Sequence, residues 1–172
     1  ENLTTILELA ESEGKATSIV TNMRITHATP ASFYAHVNDR DKESLIAEQL
    51  LASGADVALG GGLSYFVGMN ETDPLGGASS RDDDQNLLQE AQDLGYVFVY
   101  NRTELLNVDP EETEKLLGLF GSSHLYFEFR RTSEPDPQPS LREMTEKAIE
   151  ILSKDDDGFF LMVEGGTIDH AC

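Results

Sequence analysis

Apolar residues recur along this chain with two alternating periods. Leu3, Ile6, Leu7 and Ala10 fall at helical spacing and stop at Gly14, which predicts a helix over residues 2–13. "ATSIVT" follows as a buried strand. "RITHATP" reads as a loop whose Pro30 opens a short helix through Phe33 and Tyr34. "KESLIAEQLLASG" is amphipathic, with Leu45, Ile46, Leu50 and Leu51 inside and Gly54 at its end. Further along, "ADVALGGG" reads as strand, "DQNLLQEAQDLG" as helix, "YVFVY" as strand and residues 102–107 as a short helix. "LREMTEKAIEILSK" is a helix and "FFLMVE" the last strand. "EKLLGLFG" fits either period, and "SEPDPQPS" is an exposed loop.

Strands separated by helices, at distances too long for hairpins, imply parallel pairing with right-handed crossovers. Strands apolar on both faces imply a sheet covered on both sides. The predicted fold is therefore α/β, a three-layer α/β/α sandwich around a mostly parallel central sheet. It forms one domain over 1–172, the central part of something longer, with residues 63–83 as a surface excursion. Ligands of such sheets bind beyond the carboxyl ends of the strands. Three segments occupy that position: "NMRITHATP", "GGGLSYF" and "EGGTIDHAC". The first and third carry reactive side chains; the second offers mostly backbone.

Charge narrows the partners. The chain has 32 acidic and 12 basic residues, a net charge of −20. Phosphate backbones and anionic membranes both need basic patches, so neither nucleic acid nor a membrane surface is an expected partner. The acids are spread along the whole chain, as in a protein kept soluble in strong salt. Their clusters, such as Asp82, Asp83 and Asp84, read as solvated loops or helix starts. The single cysteine, Cys172, excludes an internal disulfide. Asn2, Asn70 and Asn101 open Asn-x-Thr triplets, relevant only in a glycosylating host.

The candidate chemistry sits at the strand ends. Glu164 closes an apolar strand, and Asp169 follows across Gly165-Gly166. A carboxylate there is costly to bury unless a cation pairs with it, and basic residues are scarce. Oxygen ligands suit Mg²⁺, and mixed carboxylate and imidazole ligands suit Zn²⁺. The plainer alternative makes Glu164 a turn cap and Asp169 a helix N-cap. Thr29 is either a cap or a neutral oxygen ligand. Arg40 is either a salt-bridge partner of Asp39, Asp41 or Glu43, or a clamp for an oxyanion. No role emerges for His36 or His124. Residues 153–164, "SKDDDGFFLMVE", nearly match a calcium-binding loop, with Ser153 where Asp is expected.

Together, "SIVTNMRITHATPASFYAHVNDR", "ADVALGGG" and "FFLMVEGGTIDH" resemble the alkaline phosphatase family, in that family's order and approximate spacing. The resemblance spans essentially the whole chain. It implies a phosphomonoesterase with two Zn²⁺ and one Mg²⁺, a phosphoserine intermediate, release of inorganic phosphate, a homodimer, and a periplasmic or secreted location. Carried over motif by motif, Thr29 and Glu164 resemble Mg²⁺ ligands, with His27 behind them. Asp169 resembles a Zn²⁺ ligand. Arg40 resembles the arginine that grips phosphate, and His170 a residue that reaches phosphate through water. The family's Asp-Ser-Ala nucleophile motif does not occur here, and its next zinc-binding His would fall just past Cys172. These 172 residues are thus expected to be inactive alone.

Overall fold

The computed structural model describes residues 3–133 and 137–171. Cys172, Asn2 and the middle of "SEPDPQPS" lie outside the described residues. Five strands, β1 (Ala16–Arg24), β2 (Val57–Gly61), β3 (Val97–Val99), β4 (Leu116–Leu119) and β5 (Phe159–Glu164), form one parallel sheet in the order β3-β4-β2-β1-β5. "EKLLGLFG" is a strand, and its tertiary position explains why: β4 lies between β2 and β3, buried throughout. Gly118 within it is a packing requirement, since a Cβ there would stand 2.5 Å from the Phe120 ring.

The three layers follow from the period of two along the strands. Ile19, Ala58, Leu117 and Leu119 face one core, shared with Leu7, Ile46, Leu50 and Leu87. Their neighbours Val20, Val57, Leu59 and Leu116 face a second, shared with Leu105, Met144, Ala148 and Ile151. The first core is roofed by α1 (Ile6–Ser12), α3 (Glu43–Ser53) and α4 (Leu87–Asp93). The second is roofed by α5 (Arg102–Asn107) and α7 (Leu141–Leu152), with the one-turn α6 (Glu128–Arg131) between them in sequence. The two edge strands are less fully covered: Phe159 and Val163 of β5 and Val97 of β3 are about two-fifths exposed.

Several boundaries differ from the periodic reading, for local reasons. A capping box between Thr5 and Glu8 starts α1 at Ile6. Leu3 is therefore outside the helix and exposed, and Ile6 faces solvent from the first turn. In α3 the buried stripe runs through Ile46, Ala47, Leu50 and Leu51, and Leu45 falls off it. The Pro30 helix, α2 (Ala28–Ala31), is one turn; Tyr34 lies beyond it, buried and donating to the Ile25 carbonyl at 2.7 Å. β1 outruns "ATSIVT" to Arg24, which pairs with Gly61 across a register shift. The fold does not favour a calcium loop over 153–164. Ser153 caps the end of α7, and Phe159–Glu164 pair with β1 where that motif needs an outgoing helix. The Asp155 carboxylate is already used, accepting from the Ala16 N–H at 2.7 Å and the Asp157 N–H at 2.8 Å.

Residues 63–83 begin inside the core with Leu63, Phe66 and Val67, surface over most of 69–80, and return at Arg81. Arg81 is 4% exposed and holds the stretch in place. It pairs with Glu48 at 2.9 Å and Asp83 at 2.6 Å, and donates to the carbonyls of Ser44 and Tyr65 at 3.2 Å. So Asp83 is an ion-pair partner within its acidic run. Removing the guanidinium breaks both ion pairs and takes a donor from the Ser44 and Tyr65 carbonyls. Arg81→Met is expected to destabilise the protein by about 3 kcal/mol. The urea midpoint should fall with the slope unchanged, and Arg81→Lys should recover little because an ammonium lacks the planar fork.

Candidate active site

The sheet's carboxyl ends gather the reactive residues. From β1 the chain winds through β2, β3 and β4 on one side and reaches the other side only with β5. The segments that follow β1 and β5 therefore meet. Thr21 of β1 donates its hydroxyl to Glu164 Oε2 at 2.6 Å, fixing the carboxylate at the end of β5. One residue on, Asn22 takes hold of Thr167: its amide donates to the hydroxyl at 2.6 Å and accepts from the main-chain N–H at 3.2 Å. The "GGTIDH" segment, a 3-10 helix over Gly166–Ala171, is thus pinned to β1.

Arg24, the last residue of β1, is gripped by Glu43 at the start of α3. Nε and Nη2 donate to the two carboxylate oxygens at 2.8 and 2.7 Å, and the Thr26 hydroxyl donates to Oε2 at 2.6 Å. Glu43 is 7% exposed. Burial alone would raise its pKa, but these donors hold it below the ordinary carboxylate value. Burying a carboxylate so deeply is tolerable only because the pairing is bidentate and each oxygen is hydrogen-bonded.

Three imidazoles lie next to this pair. The His27 and His124 rings are 5.3 Å apart, His124 and His170 5.5 Å, and His27 and His170 6.3 Å, all edge to face. Arg40 Nη2 lies 3.0 Å from His27 Nε2, so the arginine donates and the ring proton sits on Nδ1. That Nδ1 is buried and has no hydrogen-bond partner. Burial, and then the charges of Arg40 and Arg24, lower the His27 pKa. The same causes, burial first and Arg24 next, push His124 down to about 4.

His124 is held by backbone. The main-chain N–H of Gly62 donates to the carbonyls of Gly121 and Ser123, both at 2.9 Å. A Cβ at Gly61 would stand 2.1 Å from the Ser123 carbonyl oxygen, so the approach requires glycine there.

The predicted residues are distributed as follows. Arg40, His27 and His170 come together, and Glu164 lies close enough for its charge to act on His27. Thr29 is inside α2, which packs against β5, and does not cap it; the N-cap is His27, without a side-chain bond. Asp169 is exposed within the 3-10 helix and is not its N-cap. Glu164 bonds across strands to Thr21 and caps no turn. Glu43 pairs with Arg24, not with Arg40. Sequence reasoning missed His124, Arg24, Glu43 and Thr21. His124 was within reach of the strand-end rule, because it follows β4 as the other segments follow their strands.

Glu164, Asp169 and the Thr29 hydroxyl are hard oxygen donors of the kind that hold divalent cations, and the orphaned His27 Nδ1–H could donate to a bound water beside one. Among the described residues no three His, Cys, Asp or Glu side chains form a set able to hold a metal ion. The chemistry of these donors fits a divalent cation.

Comparison with known proteins points one way. The sequence model of the alkaline phosphatase family matches residues 1–172. The tissue-nonspecific alkaline phosphatase of Felis catus is 41% identical over 194 residues, covering 98% of this chain and 37% of that protein. The alkaline phosphatase of Gadus morhua is 38% identical over 193 residues, covering 98% and 40%. The crystal structure of Thermus thermophilus alkaline phosphatase superposes with a TM-score of 0.84 at 38% identity, over 98% of this chain and 33% of that one. A variant of the TAB5 enzyme, described with Mg bound in its M3 site, superposes at 0.69 with 27% identity, over 96% of this chain and 43% of its own. The chain thus spans about two-fifths of the length of the curated relatives it matches, or slightly less.

The low pKa of His124 has a measurable sign. The neutral ring is favoured in the folded state and the unfolded value is 6.5, so its contribution to stability is complete above pH 6.5 and is lost as pH falls toward 4. In proton NMR the His124 ring should titrate near 4. His124→Asn should flatten the stability curve between those pH values.

Proposed function

The chain belongs to the alkaline phosphatase family, and from that premise we propose that the protein carrying it hydrolyses phosphate monoesters, releasing inorganic phosphate, with the help of divalent cations. What supports the reading is one juxtaposition: the exposed Arg40 is anchored on His27, beside His170 and the carboxylate of Glu164, at the carboxyl end of a parallel sheet.

The chain's own residues divide the work. Arg40 binds two oxygens of the phosphoryl group through its planar fork, and the same contacts follow the charge that spreads over those oxygens in the transition state. His27, by accepting from Nη2, fixes the fork's orientation before substrate arrives, which lowers the entropy cost of binding. His170 meets the phosphate through water. The neutral state of His27 matters here, because it lets Nε2 accept from Arg40 without adding repulsion to it.

Glu164 and Thr29 would hold Mg²⁺, and Asp169 one of two Zn²⁺. Bound there, such cations supply charge that stabilises the attacking and leaving oxygens. Thr21 and Asn22 act earlier, by aiming Glu164 and the segment that bears Asp169. The serine nucleophile and the remaining ligands belong to residues outside this chain. A homodimer, a periplasmic or secreted location and tolerance of high salt are part of the same proposal.

Two variants of the intact protein test these roles. Arg40→Ala is expected to lower kcat/KM for a simple phosphate ester by about 100-fold or more and to weaken inhibition by inorganic phosphate. Unchanged phosphate inhibition would remove Arg40 from the site. Glu164→Gln should lower bound magnesium in elemental analysis while leaving the fold intact by circular dichroism; equal magnesium in both proteins would contradict its role as a ligand.

A further inference from the structure

We infer that the groove between the start of α1 and the segment after α2 receives the organic part of the substrate, and that the protein prefers phosphate monoesters of apolar alcohols. The inference rests on the phosphomonoesterase reading and adds a substrate class to it.

The groove encloses about 830 Å³, within the range of sites that hold small organic molecules. Arg40 lines it, and so does Ala28, the residue after His27. The groove is therefore continuous with the pair proposed to grip phosphate, whose nitrogens lie 3.0 Å apart. Apolar side chains line much of the rest. Phe33 and Val37 form a floor packed against the first core, with the Phe33 ring 5.9 Å from that of Phe160. Leu3 and Ile6 line it from the start of α1 and are 85% and 56% exposed. Large aliphatic side chains left in water beside an apolar floor favour an apolar ligand, which covers both.

The two sides of the groove are tied together before any ligand arrives. His36, in the segment after α2, places Nε2 2.7 Å from Glu8 Oε1 in α1, and its main-chain N–H donates to Gln49 Oε1 at 2.6 Å. The other oxygen of Glu8 accepts from the Thr5 N–H at 2.7 Å, so the same carboxylate closes the capping box and holds His36. A groove fixed in this way costs a ligand little further ordering. Charge selects the kind of ligand. Asp39 lines the groove, exposed and next to Arg40 in sequence, and the chain carries a net charge of −20. Both disfavour an organic part that bears a further anion and leave a neutral, apolar one as the fit.

The test compares, in the intact protein, the hydrolysis of ethyl phosphate and hexyl phosphate. Both leaving groups are primary alkoxides of similar basicity, so the chemical step is matched and the difference reports contact with the longer chain. The wild-type protein should favour hexyl phosphate by about tenfold or more in kcat/KM, well short of what complete burial of the added methylenes would give. Leu3→Ser and Ile6→Ser, made together, remove apolar lining at positions already in water, so the fold is kept. In that variant the hexyl-to-ethyl ratio should fall to about threefold or less. A general structural effect lowers both esters alike and leaves the ratio unchanged. Overturning results are equal kcat/KM for the two esters in the wild-type protein, or a hexyl preference that survives the double substitution. If neither ester is hydrolysed, the phosphomonoesterase reading fails, and calorimetry with ethylphosphonate and hexylphosphonate decides the groove by itself. A Kd about tenfold lower for hexylphosphonate then upholds it, and equal values overturn it.

Discussion

The ion pair between Arg24 and Glu43 is the constraint on which the site depends. It joins the last residue of β1 to the first turn of α3, so it sets the sheet's carboxyl end against the helical layer. Both partners are largely withdrawn from water, and each carboxylate oxygen is hydrogen-bonded. The main chain and guanidinium of Arg24 then fix His124, which packs edge to face with His27 and His170. Truncating either partner would leave a charge unpaired in a poorly solvated place, which is why the pair is costly to break even if its net contribution to folding is small.

The surface charge gives this arrangement its chemical contrast. A chain of net charge −20 repels phosphate over most of its surface. At the sheet's carboxyl end two arginines are fixed, one on a carboxylate and one on an imidazole. Glu43 offsets the charge of Arg24, which leaves Arg40 as an exposed cation at this end of the sheet. Divalent cations at Glu164 and Asp169 would deepen that contrast, because the ligands are anionic and the bound ions reverse the local field.

Parallel pairing explains why residues so distant in sequence meet. Every strand points the same way, so each following segment emerges at one edge. Thr21 with Glu164, and Asn22 with Thr167, link β1 to the end of β5 across more than half the chain. Glycines at the end of β2 let the segment after β4 approach closely enough to bring in His124.

Most of the architecture was legible before any coordinates. Apolar periodicity located nearly every helix and strand, and the spacing of strands implied parallel pairing and three layers, because burial of alternate side chains leaves a direct trace in composition. The blocks around His27, Thr29, Arg40, Glu164 and Asp169 also carried the family. What the sequence could not determine was partnership. "EKLLGLFG" was ambiguous because a short, fully buried strand has no polar face to reveal its period. Glu43 is one of three acidic neighbours that could pair with Arg40 from sequence alone, and tertiary packing gives it to Arg24. The strand-end rule could place His124 at the sheet's carboxyl end, but only the order of strands, which sets β4 beside β2, brings it next to His27. Local composition sets which elements form, but the pairing of charges and rings depends on distances between elements, and those exist only once the sheet has closed on its two cores.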